Sequence, residues 1–241
     1  MQRTTHMLDK TKKEKNNAPK IAARWQPVYD SLREAIVSRR LAPGTKLPED
    51  ELGSIYSVSR TVVRSALQAL AHDRVVRLEP NRGAFVAQPS IKEAREVFDA
   101  RKLIEPRLAA LAAKSATPED IRCLRQHLES ERDVMKSDRS GEAIRLSAYF
   151  HLKLAEIADH SIFTEIVRDL VSRSSLIIAL YWRSRDTTCK CDAHRDLVEA
   201  IAAGDAAGAS ALMKRHITDL LSGLDLTRTE KKPERLADIL G

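Results

Sequence analysis

Ser57-Val58-Ser59-Arg60-Thr61-Val62-Val63-Arg64, followed further on by Asn81-Arg82-Gly83-Ala84-Phe85-Val86, decides the fold of the first third of this chain. Read as a helix start, Ser59 places its hydroxyl over the unpaired backbone N–H groups of the first turn. Arg60, Thr61 and Arg64 then share one face, while Val63, Ala66, Leu67 and Leu70 share another that packs inward. Two arginines and a hydroxyl on a helix rooted by an apolar face suit a recognition helix in a DNA major groove. Arginine pairs with guanine or phosphate, and the helix N-terminus attracts phosphate.

Working outward, Gln26–Arg40 carries Val28, Leu32, Ile36 and Val37 at helical spacing, and Ala42-Pro43-Gly44 breaks that helix. Glu49–Tyr56 is a short second helix with Leu52 and Ile55 inward. Val75, Val76 and Leu78 read as a strand, Pro80-Asn81-Arg82-Gly83 as a turn, and Ala84–Ala87 as the returning strand. Three helices and a hairpin make a winged helix-turn-helix over residues 25–88. Arg82 and Gly83 stand at the wing tip, where glycine permits close approach to the minor groove or the backbone. Residues 1–24, rich in Lys, Asn and Thr, read as a disordered basic arm.

The charge distribution points the same way. The chain carries +7, from 41 Lys and Arg against 34 Asp and Glu. Residues 1–88 hold 16 basic and 9 acidic side chains, whereas residues 89–241 hold 25 of each. A basic third beside a neutral remainder reads as a nucleic-acid module joined to a different kind of domain.

With 241 residues the chain can hold two modest domains. Eight glycines, four phenylalanines and abundant Ala, Leu, Arg and Glu predict a mostly helical protein. No segment approaches the roughly 18 consecutive apolar residues of a membrane span, and the polar, lysine-rich start does not read as a secretory signal. Cys189 and Cys191 form a C-x-C without a second pair to complete a cysteine zinc site. Reduced thiols in a cytoplasmic protein are expected.

Gln88-Pro89-Ser90 reads as the exit from the winged unit, with the linker placed at residues 89–92. Beyond it, helical patterns run over Ile91–Lys114, Thr117–Ser137, Gly141–Asp159, Ile162–Trp182, Cys191–Ala203 and Asp205–Leu224, with no strand signal between them. Residues 93–224 should form an all-α antiparallel bundle, followed by a charged tail over 225–241 in which Leu236, Ile239 and Leu240 can dock. The fold class is therefore mainly α, a winged helix-turn-helix followed by a helical bundle.

Three histidines in that bundle can meet. His151 lies four residues after Ser147, on the same helix face. His194 lies ten residues before Gly204, and His216 eleven after Asp205. Both therefore stand roughly 15 Å from the Gly204-Asp205 turn at about 1.5 Å per residue, level with each other across an antiparallel hairpin. Three imidazoles suit Zn²⁺, Ni²⁺ or a similar ion, with positions left for water or a ligand. Histidines that only pack or hydrogen-bond are the competing reading. His6, His72, His127 and His160 read as surface, cap or packing residues.

Pro43-Gly44-Thr45-Lys46-Leu47-Pro48-Glu49, the helix from Ser59 to Leu67 and the Arg82–Val86 wing together resemble the GntR family of bacterial transcription regulators. The remainder resembles the FCD type of ligand-binding domain of the FadR-like subgroup. Its cues are Arg101-Lys102-Leu103-Ile104-Glu105, Phe150-His151, Ala193-His194-Arg195, Ala200–Asp205 and Met213-Lys214-Arg215-His216. The resemblance implies a homodimer on an inverted-repeat DNA operator, commonly a repressor, controlled by a small metabolite, often a carboxylate, bound in the helical domain. It carries DNA contacts onto Arg60, Thr61, Arg64 and Gly83. A further contact, often arginine in relatives, falls on Asp50 here and is not carried over. Val62 and Ser65 also depart from the commoner Pro and Glu. Metal-binding relatives place an aspartate four residues before the first histidine. That position is Ser147, so the set implied is His151, His194 and His216, with affinity weakened by the lost carboxylate; a metal-free pocket in which the histidines contact an anionic ligand directly is the principal alternative. Arg101 aligns with an arginine that faces the effector and can clamp a carboxylate. Pairing with Glu105 is its alternative.

The sequence therefore predicts a metabolite-controlled transcription regulator, not an enzyme, with Ser59, Arg60, Thr61, Arg64, Arg82 and Gly83 toward DNA. It places Arg101 and Ser147 toward effector. A metal-dependent hydrolase using the three histidines and a nucleoid-type architectural binder are the alternatives.

Overall fold

The structure, a computed structural model, describes residues 18–38, 40–136, 139–182, 189–227 and 236–240. The chain divides into two compact units, one of residues 1–36, 40–86 and 232–241, the other of residues 87–231 with 37–39.

In the first unit α1 spans Ala18–Val37 and buries Val28, Leu32, Ala35 and Ile36. It starts eight residues ahead of the expected Gln26. Pro19 falls in the first turn, where its missing N–H costs no hydrogen bond. The expected arm over residues 1–24 thus loses its last part to α1, and residues 1–17 lie outside the described residues. Next come β1 (Lys46–Leu47), α2 (Glu49–Ile55) and α3 (Arg60–His72). The turn between the helices takes a left-handed Ser57 (φ 52°) and passes Gly53, where an added Cβ would lie 3.1 Å from the Val58 carbonyl oxygen. Ser59 caps α3 as expected, its Oγ accepting from Val62 N. Val62, Val63, Ala66, Leu67 and Leu70 of α3 are buried.

The wing pairs β2 (Val76–Glu79) with β3 (Gly83–Val86), Val76 opposite Val86 and Glu79 opposite Gly83. Asn81 (φ 61°) and Gly83 (φ 97°) supply the left-handed positions of the tip. β1, not expected from so short an alternation, adds antiparallel to β3, giving a sheet ordered β1-β3-β2.

The second unit is all helix among its named elements: α4 (Ile91–Ser115), α5 (Pro118–Met135), α6 (Ser140–Ile157), α7 (Ser161–Tyr181), α8 (Cys189–Ala202) and α9 (Ala206–Ser222). Its local signals are explicit. Ser90 caps α4, so the expected 89–92 linker ends inside a helix. Thr117 and Asp120 form a reciprocal capping box with Pro118 at the first turn. Gly204 (φ 70°) ends α8, and Asp205 caps α9 through Gly208 N. α4 packs on α6, α7, α8 and α9, so it is the central helix of the bundle. Phe98, Leu108 and Ala112 of α4 join Phe150, Leu154, Val198 and Ile217 in the core. In the tail, α10 (Leu236–Leu240) belongs to the first unit and packs on α2, with Leu236 buried.

Candidate functional site

The exposed face of α3 presents Arg60, Thr61 and Arg64, with Ser59 at its start. None of the arginines on this surface stands alone. Arg64 donates through Nε (2.9 Å) and Nη2 (2.7 Å) to the two oxygens of Glu49 on α2. That side-chain hydrogen bonding holds the Glu49 carboxyl below its ordinary range. The Nε of Arg60 pairs with Asp50, on the same helix. In the wing, Glu79 pairs with Arg77 (2.7 Å) and with Arg82. Arg82 also lies over the Phe85 ring at 5.5 Å, and Gly83 is exposed beside it. Sequence reading found the arginines but not their carboxylate partners, which come from a different helix or from the strand behind the tip.

In the helical unit, His151 of α6, His194 of α8 and His216 of α9 bring one ring nitrogen each to within 4.8 Å of one another. All three are buried, at 3%, 2% and 4% exposure. The Nε2 atoms of His194 and His216 are 3.1 Å apart. The rings of His151 and His216 stack at 5.3 Å, and His194 stands edge-on to both. Phe150 stacks on His194 at 4.0 Å and closes that side.

Two carboxylates stand behind the rings. Nδ1 of His151 lies 2.6 Å from Glu105 of α4, and Nδ1 of His194 lies 2.8 Å from Glu131 of α5. A carboxylate at Nδ1 holds the proton there and turns the Nε2 lone pair inward, the arrangement that supports imidazole ligands in metal sites. Both ring nitrogens of His151 are buried and neither makes a well-aligned hydrogen bond among the described residues, Nδ1 being in ion-pair contact with Glu105 and Nε2 having no partner. An orphaned inward-facing nitrogen beside two further imidazoles fits a divalent ion such as Zn²⁺ or Ni²⁺.

The supporting charges are themselves balanced. Arg101, 2% exposed, pairs with Glu105 and donates 2.8 Å to Ser174 of α7. Burial opposes ionisation of Glu105, yet Arg101, with His151, carries its pKa down to about 2. Burial likewise opposes the charge on Glu131, and hydrogen bonds from His127 and His194 bring it to about 2. Burial holds His151 neutral, with a pKa of about 4. His127, read from sequence as a packing or surface residue, lies 3.5 Å from Glu131 and 3.0 Å from the Leu146 carbonyl oxygen. His160 does cap α7, as that reading allowed.

Thus three of the sequence-selected side chains meet, Ser147 lies one turn before His151 and is partly buried, and Arg101 stands behind His151 rather than among the histidines. Glu105, Glu131 and His127 were missed as site residues. For Glu105 and Glu131 the available signal was a glutamate at a buried position of its helix, while the histidine each meets lies on another helix and had no local signal.

Two family models match the chain: "Bacterial regulatory proteins, gntR family" over residues 25–86 and "FCD domain" over residues 96–219. The HTH-type transcriptional repressor RspR of Escherichia coli (strain K12) is 27% identical over 209 residues, covering 85% of this chain and 90% of that protein. The gluconate operon transcriptional repressor of Bacillus subtilis (strain 168) is 30% identical over 182 residues, covering 73% and 74%. Among solved structures, a GntR transcriptional regulator from Rhodococcus sp. RHA1 has TM-score 0.65 at 24% identity, covering 83% of this chain and 96% of that one. E. coli McbR/YncC has TM-score 0.65 at 22% identity, covering 82% and 97%. These last two share the fold. A winged helix-turn-helix with a basic face and a helical bundle with a buried histidine cluster, matched over both parts, make the chain a DNA-binding transcription regulator of the gntR family with an FCD domain.

Proposed function

We propose that the protein is a homodimeric repressor whose DNA binding is set by a small carboxylate bound next to a divalent metal in the helical domain. The observation that carries this reading is the convergence of His151, His194 and His216, with Glu105 and Glu131 behind two of them. Those three imidazoles would hold the ion, which when bound supplies an electrophilic anchor for an anionic oxygen. Charge balance favours a carboxylate effector. With Glu105 and Glu131 ionised and Arg101 cationic, a divalent ion leaves one positive charge buried, and a bound monoanion cancels it.

Ser147, one turn before His151, brings no carboxylate to the site, which leaves a charge for the effector to supply. Arg101, buried behind His151, acts on the site through Glu105, whose carboxylate it keeps ionised beside His151 Nδ1. The two acids nearest the histidines face Nδ1, so neither stands as a base on the inward side, and the hydrolase alternative gains no support from the geometry.

The test is thermal unfolding of Zn²⁺-loaded full-length protein against a panel of small mono-, di- and tricarboxylates, repeated with His194→Ala. The reading expects one class to raise the unfolding midpoint of the wild type and not of the variant. Equal stabilisation of both would assign the effector to direct contacts without metal; none with any carboxylate would overturn the effector class.

A further inference from the structure

α2 opens with Glu49, Asp50 and Glu51 in its first turn. Acids there complement the helix dipole and repel an approaching phosphate. Two of the three reach the recognition helix. Glu49 takes Arg64 from the side, through Nε and Nη2. Asp50 takes Arg60 through Nε, with both side chains largely exposed, at 67% and 72%.

The edge used matters. A guanidinium held at Nε keeps its terminal Nη groups pointed forward, and that terminal pair matches the O6 and N7 acceptors of guanine. An arginine held this way can read a base edge without leaving its carboxylate. A phosphate contact is different, because it brings an anion beside Asp50. Non-specific complexes are made almost wholly of phosphate contacts, so the acid weighs against them more than against a base-reading complex.

We infer that Asp50 is a specificity-determining residue for DNA. It holds Arg60 for base reading and disfavours backbone-only binding, with Glu49 positioning Arg64 beside it. This inference needs only the DNA-binding role and is independent of the metal and effector readings.

The experiment uses full-length wild type, Asp50→Asn and Asp50→Glu. The probes are a duplex enriched by the wild type from a random-sequence library and an unselected random duplex of equal length, each measured across a salt series. For Asp50→Asn, binding to the random duplex should tighten roughly tenfold, and its salt slope should steepen by about one per freed arginine. Binding to the enriched duplex should change by much less, so discrimination falls; Asp50→Glu should restore it. Unchanged random-duplex affinity and slope in Asp50→Asn would overturn the inference. So would equal tightening on both duplexes, which would reduce Asp50 to a uniform charge effect.

Discussion

At the scale of single residues, the histidine cluster works through its carboxylates. Glu131 touches His194 and His127, while Glu105 touches His151 and Arg101. Removing such outer partners of imidazole ligands typically weakens metal affinity by about 10–100-fold. Glu131→Gln and Glu105→Gln should each do so, as read by competition for Zn²⁺ with a chromophoric chelator; wild-type affinity in both would remove the carboxylates from the site. The same burial fixes a pH dependence. His151 has a pKa of about 4 in the folded chain, mainly through burial, against 6.5 when free. The unfolded chain therefore takes up that proton first, and stability that is full above about 6.5 is lost as pH falls toward about 4. Glu105, carried to about 2, extends the loss below its ordinary 4.5. Chelator-treated protein should show an unfolding midpoint that falls between pH 7 and pH 5, and a flat profile there would contradict a buried neutral His151.

At the scale of elements, α3 was legible because its cap, apolar face and polar face all coincide in sequence. Ser59, Val63, Ala66, Leu67 and Leu70 do what their spacing dictates. Leu67→Ala should destabilise the winged unit by about 2–5 kcal/mol through the cavity it leaves, measured by denaturant unfolding; a loss below about 1 kcal/mol would place Leu67 outside the core. The Gly204-Asp205 turn was equally plain, and it sets His194 level with His216. β1 was not legible, since two residues carry no alternation and the strand exists only because β3 offers an edge to pair with. The Arg101–Glu105 pair, one helical turn apart, was legible, but Glu49–Arg64 and Glu105–His151 were not, because they are contacts between helices whose facing is a tertiary fact. Apolar residues left outside the core have their own consequence. Leu103 on α4 and Ile162 on α7 are 80% and 61% exposed, and the proposed dimer is the natural cover for such side chains. Leu103→Lys together with Ile162→Lys should shift light-scattering mass to the monomer, whereas an intact dimer would move the interface elsewhere.

At the scale of the whole molecule, the chain joins a basic DNA-reading unit to a neutral helical bundle, and the family match spans both. Among the described residues no helix is long and apolar enough to cross a membrane. The bundle buries ionised glutamates, an arginine and three histidines together, a costly choice for a structural core that a bound metal and anion would repay. The direct measurement is the metal content of full-length protein and of His194→Ala, both purified without added metal or chelator. Close to one divalent ion per chain is expected in the wild type and little in the variant. A wild-type chain that holds no metal, even after incubation with Zn²⁺ or Ni²⁺, would contradict the proposed metal site.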